Sequence, residues 1–146
     1  IGTIGLIMSL GMIFGTFFYG PLDRIFKTRK WIVLIGNFIC LFSVAALAFL
    51  PELSYNFAII SFALLGFFGM SFPVVVAHGR SFVPMELSGR GVTLMNLFAI
   101  GGVGVLQALS GLVFERTGDF GAVFSVYFIL ILIGLVVYFW SKDNTS

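Results

Sequence analysis

Gly20-Pro21-Leu22-Asp23-Arg24-Ile25-Phe26-Lys27-Thr28-Arg29-Lys30-Trp31 lies between two long apolar runs, and its reading decides that of the rest of the chain. Arg24, Lys27, Arg29 and Lys30 are half of the eight Lys and Arg residues present. A charged side chain at a bilayer centre costs about 2.5–3.5 kcal/mol on insertion scales. A cluster this dense between membrane-length apolar segments therefore belongs to a loop at a membrane surface. Loops rich in Lys and Arg stay on the cytoplasmic side, so the stretch sets the orientation of everything around it.

Composition agrees. The 146 residues are 60% hydrophobic and 10% charged, where soluble domains carry about 25% charged residues. The fold class is all-α and polytopic. A formal net charge of +2, confined to loops, gives no footprint for nucleic acid. Cys40 is the single cysteine, which excludes a disulfide within the chain, and no Cys/His spacing suits a metal. No catalytic constellation, phosphate-cradling loop or cofactor motif is visible, so the expectation is a protein that is not an enzyme and holds no cofactor. The chain begins with Ile1 and its first residues carry no basic n-region, so the start reads as a cut end rather than a signal peptide.

Five apolar segments follow, at about 1–19, 31–50, 57–77, 92–114 and 122–140, each close to the roughly 20 residues that cross a bilayer as a helix. Strand-like alternation is absent. Arg24, Lys27, Arg29, Lys30, Arg80, Arg90 and Lys142 fall on one side of such a five-span chain, and Arg116 alone on the other. This bias places the Ile1 end outside and the C-terminal tail in the cytoplasm of a cell whose plasma (inner) membrane holds the protein. Trp31, Tyr55, Tyr138 and Trp140 fall at the expected interfaces. Pro73, with Gly66 and Gly69 before it, should kink or break the third segment near its cytoplasmic end. The sequon Asn144-Thr145-Ser146 lies on the wrong side for glycosylation.

The spans differ in glycine and polarity. Gly11 and Gly15 in the first have the small-xxx-small spacing that lets helix backbones approach. In the fourth, Gly101, Gly104, Ala108 and Gly111 share one helical face. Asn96 and Gln107 are about three turns apart and form a polar stripe beside it. These two side chains either glue helices together, at about 0.6 kcal/mol per bond, or line a watery path. The first, third and fourth spans read as interior, the second and fifth as peripheral. His78 reads as an interfacial anchor or, less simply, a proton carrier. Glu86 and Arg90 have the spacing of a helical ion pair.

Leu22-Asp23-Arg24 with Lys27, Arg29 and Lys30 resembles the Asp-Arg-x-Gly-Arg-Arg signature of the major facilitator superfamily, here in its second-half copy. Phe26 stands where that signature has glycine, Thr28 where it has a basic residue, and Gly20 lies one place nearer the aspartate. Phe82-Val83-Pro84, then Gly89-Arg90-Gly91, Asn96, Gly101-Gly102, Gln107 and Gly111, is similar to the run into and through the family's penultimate helix. Glu115-Arg116-Thr117-Gly118 and a last apolar helix resemble its usual ending. The resemblance spans the chain and implies the last five of twelve helices, an incomplete C-terminal half that cannot transport alone. It implies secondary transport of a small solute by alternating access. The partners implied are the bilayer, the small-molecule substrate and the missing N-terminal part of the same chain. By the same analogy Asp23, Arg24, Lys27 and Arg90 form a cytoplasmic gate or latch; the alternative is that they only anchor topology. The competing reading of the whole is a self-standing five-helix scaffold or accessory subunit.

Overall fold

The computed structural model describes residues 2–143, apart from Pro51 and Leu53 and the side chain of Asp23. The sequon at Asn144 lies outside the described residues. The helices are α1 (Gly2–Phe26), α2 (Lys30–Phe49), α3 (Tyr55–Gly69), α4 (Phe72–Arg80), α5 (Ser88–Thr117) and α6 (Phe120–Phe139), with one 3-10 turn at Met85–Leu87 before α5. Among the described residues, five helical stretches are long and apolar enough to cross a membrane, with α3 and α4 counted together as Tyr55–Arg80. Helices meet the requirement that every backbone polar group in lipid be paired internally.

The first connection is shorter than the sequence suggests. α1 runs on past Tyr19 through Pro21 to Phe26. Proline removes one helical hydrogen bond, a cost that water at the membrane surface can offset. Phe26, where the family signature has glycine, is helical, and Lys27 is the one non-glycine residue with positive φ among the described residues, at 51°. A left-handed residue thus ends α1 one place after Phe26.

The break at Pro73 is present. The Met70 amide donates to the Phe67 carbonyl and the Ser71 amide to the Phe68 carbonyl, tightening the last turn of α3. Pro73 then sits in the first turn of α4, where no amide is needed. Asn37 of α2 braces the joint, donating through Nδ2 to the Ser71 hydroxyl at 3.4 Å and to the Val33 carbonyl at 2.9 Å.

The order of packing departs from the expectation. α2, read as peripheral, is central: it packs on α3 and α6 and touches α4. It buries Ile32, Val33, Leu34, Gly36, Cys40, Leu41, Ser43 and Val44. One core joins Tyr19, Ile32, Val33 and Val74; a second joins Leu34, Leu41 and Leu135. α5, read as interior, packs on α4 and α6 and buries no residue within these helices. The reason is physical: lipid is as apolar as leucine, so hydropathy does not say which apolar face meets protein and which meets lipid.

α1 and α3 are the closest pair. A Cβ at Gly11 would come within 2.8 Å of the Ala63 carbonyl oxygen, and one at Gly15 would overlap that of Phe67. From the other helix, a Cβ at Gly66 would overlap the Met8 carbonyl oxygen. Backbone lies against backbone here.

Candidate functional site: the basic end and the open face of α5

Two regions carry polar groups outside ordinary helix pairing. The first is the end of the bundle where α1 stops, α2 starts, and α4 and α6 stop. α2 begins without a side-chain cap from its own N-cap residue, Arg29, so its first amides need acceptors. The Asp143 carboxylate supplies them from 113 residues away: Oδ1 accepts from the Lys30 and Arg29 amides, each at 3.2 Å. Oδ2 accepts from the Thr28 hydroxyl. The Trp31 amide in turn donates to Thr28 Oγ1 at 3.4 Å. A carboxylate at a helix N-terminus also interacts favourably with the helix dipole.

His78 lies beside this cap and is 2% exposed. Its Nε2 faces the Lys142 carbonyl at 2.8 Å, and its Nδ1 faces the Tyr138 hydroxyl at 2.5 Å. A carbonyl only accepts, so Nε2 carries a hydrogen, and Nδ1 and the Tyr138 hydroxyl share a second hydrogen bond. His78 also makes edge contacts with the rings of Phe82 and Tyr138. Arg29 donates through Nη1 to the Ala77 carbonyl at 3.4 Å, and Lys30 Nζ lies 5.2 Å from the centre of the Phe139 ring. The first connection, the end of α4 and the tail thus meet at one end of the bundle.

Burial pushes the Asp143 carboxyl up. The Thr28 hydroxyl, the Lys30 and Arg29 amides and the neighbouring His78 outweigh it and hold the group below its ordinary value. A carboxyl with a lowered folded-state pKa stabilises the fold above the unfolded value of about 3.9 and loses that contribution as the pH falls through the folded value. The tail should therefore stay docked at neutral pH and come away only as the pH drops below about 4. Fluorescence of Trp140, which lies directly after α6, would report the change; a signal flat from neutral to acid pH would refute it. Ser141 Oγ is buried with no hydrogen-bond partner among the described residues. Leaving such a group unsatisfied costs about 1–3 kcal/mol, so Ser141→Ala should stabilise the protein by about 1 kcal/mol. The check is the thermal unfolding midpoint in detergent, and a lowered midpoint would show that the hydroxyl has a partner.

Of the residues singled out as a gate, Arg24 is exposed in the last turn of α1, Lys27 is exposed at the left-handed position, and Arg90 is exposed in the first turn of α5. Among the described residues none of the three is held by a hydrogen bond or ion pair. Asp23 lies in the last turn of α1 and its side chain is outside the described structure. Glu86 falls in the 3-10 turn rather than on α5, so the helical spacing to Arg90 is not realised. Arg90 instead borders a shallow groove with Gly89, Thr93, Leu94 and Leu97.

The second region is the outer face of α5. Asn96, Gln107 and Ala108 are exposed. A Cβ at Gly101, Gly104 or Gly111 would meet nothing within 4 Å. The Thr93 and Ser110 hydroxyls bond back to the Gly89 and Gln107 carbonyls of their own helix. Sequence reasoning missed Asn37 and Asp143, and it gave Tyr138, an interfacial ring, and Thr28, a signature position, no bonding role. Thr28 had a legible signal, a threonine three residues before the first amide of an apolar run. Asp143 had none, because its partners are remote in sequence.

The family model of the Major Facilitator Superfamily matches residues 1–146. No curated protein and no solved structure matches the chain. All-helical architecture, five candidate spans and a match over the full length agree: this chain is a multi-pass membrane protein and belongs to the Major Facilitator Superfamily, a family of transporters.

Proposed function

We propose that the chain forms the C-terminal part of a secondary transporter of the plasma membrane, moving a small solute by alternating access. The carrying observation is the face of α5, where small residues and two amides lie exposed along a helix long and apolar enough to cross a membrane. Uncompensated polar groups in hydrocarbon are costly, so this face is completed by protein or by a watery cavity. An N-terminal half of the same chain would supply both, with substrate near the midplane between the halves. Asn96 and Gln107 would line the path. The basic end, with the tail, would face the cytoplasm.

Solutes can be screened by the thermal shift of the whole transporter, since a ligand stabilises the state that binds it. A solute that raises the midpoint of the parent, but not of Asn96→Ala or Gln107→Ala, supports the path. Stabilisation unchanged in both variants sinks it. Orientation is checked with an impermeant thiol reagent: Glu52→Cys should react from outside intact cells, and Lys27→Cys only after permeabilisation. For the gate formed by Asp23, Arg24, Lys27 and Arg90, Asp23→Ala should abolish uptake while leaving membrane insertion intact; unaltered uptake would reduce these residues to topology anchors.

A further inference from the structure

α4 is a nine-residue helix held at both ends by different means. At one end it joins α3 through the break at Met70–Ser71, where Asn37 touches the Ser71 hydroxyl. At the other end its last turn carries His78, buried and bonded to the carbonyl of Lys142 and the hydroxyl of Tyr138. The next residue of the tail, Asp143, caps α2. Two adjacent tail residues thus hold two different helices, and each bond depends on the tail path that the other imposes. A space of about 200 Å³ lined by Asn37, Val75, Gly134 and Tyr138 lies between α2, α4 and α6, so α4 has room to shift when its far end is let go.

We propose that Ser141–Asp143 is a conformational clasp: docked, it ties the free end of α4, through His78, to the start of α2, through Asp143, and so fixes α4 about its joint at Met70–Ser71. Undocked, it releases the His78 end of α4, while Val74 near the other end stays in the first apolar core and α2 and α6 keep their packing through the second. The clasp is a device of these helices and does not depend on what the protein carries.

Because both bonds bias one docked state, the coupling must be reciprocal. The test is amide hydrogen exchange on the full-length protein in detergent. Asp143→Ala should speed exchange at Arg29 and Lys30, which lose their acceptor. It should also speed exchange roughly tenfold at Ser81 and Phe82, whose amides close the end of α4 on the His78 and Gly79 carbonyls rather than on Asp143. Conversely, His78→Gln should speed exchange at Arg29 and Lys30. Reactivity of the buried Cys40 thiol must stay low, which separates local release from unfolding. If Asp143→Ala opens the bundle by that measure, Thr28→Val, which removes one hydroxyl contact, carries the same test. Exchange that changes only beside each substituted residue, with the other end of the clasp unmoved, overturns the proposal.

Discussion

Gly15→Val should cost the protein its stable fold. A valine Cβ at this position would overlap the Phe67 carbonyl oxygen and lie about 3 Å from its carbon and from Met70 Cβ. Overpacking costs about 1–3 kcal/mol where side chains can move aside. Here the obstacle is the backbone of α3, so α1 has to leave as a unit, and the loss should exceed about 3 kcal/mol. α1 and α3 also meet at Gly66, where a Cβ would overlap the Met8 carbonyl, so the separation spreads along the contact. Cys40, buried on α2, gives the measurement. Its reaction with a thiol-specific dye on heating should begin at a much lower temperature in Gly15→Val than in the parent. Gly5→Val, on the same helix with nothing within 4 Å of its Cβ, is the control and should behave as the parent does. Equal behaviour of the two variants would refute the close contact.

Gly104→Trp should do the opposite: it should leave these helices folded and abolish transport by the whole protein. A Cβ there meets nothing within 4 Å, and tryptophan is a better helix former than glycine. Cys40 protection should match the parent. In the proposed transporter the same face meets the N-terminal half or lines the cavity, where an indole cannot fit against a small-residue stripe. Solute uptake into vesicles should fall to background. Retained uptake with unchanged stability would mean that α5 faces only lipid, and the transport-path reading of Asn96 and Gln107 would fall with it.

These two glycines mark the limit of what a single sequence discloses. Gly11 and Gly15 on α1, and Gly101, Gly104 and Gly111 on α5, are alike as patterns: small residues on one helical face inside an apolar span. Spacing states that such a face can approach another backbone. It does not state whether a partner is there, and only the fold distinguishes the faces. The same limit explains α2. Its run from Ile32 to Val44 is apolar almost all round, with few glycines, and hydropathy cannot separate a helix enclosed by protein from one enclosed by lipid.

The basic end was legible in its charges and not in its bonds. The cluster from Arg24 to Lys30 announces a membrane surface because charge in hydrocarbon is expensive. That Thr28, His78, Tyr138, Lys142 and Asp143 meet there depends on residues up to 115 positions apart. Bonds over such separations leave no period or spacing in the chain.

By itself the sequence determined the helical class, the five spans, the break ahead of Pro73 and the separation of charge between the two ends. Each follows from a local rule: the cost of unpaired backbone and charge in lipid, or the missing amide of proline. The tertiary structure alone decided that α2 is central, that α1 lies backbone to backbone on α3, that α5 buries no residue within these helices, and that the tail caps α2 and bonds to His78 of α4. Those outcomes depend on which surfaces fit one another, and in a membrane, fit and hydrogen bonding rather than hydropathy choose the neighbours.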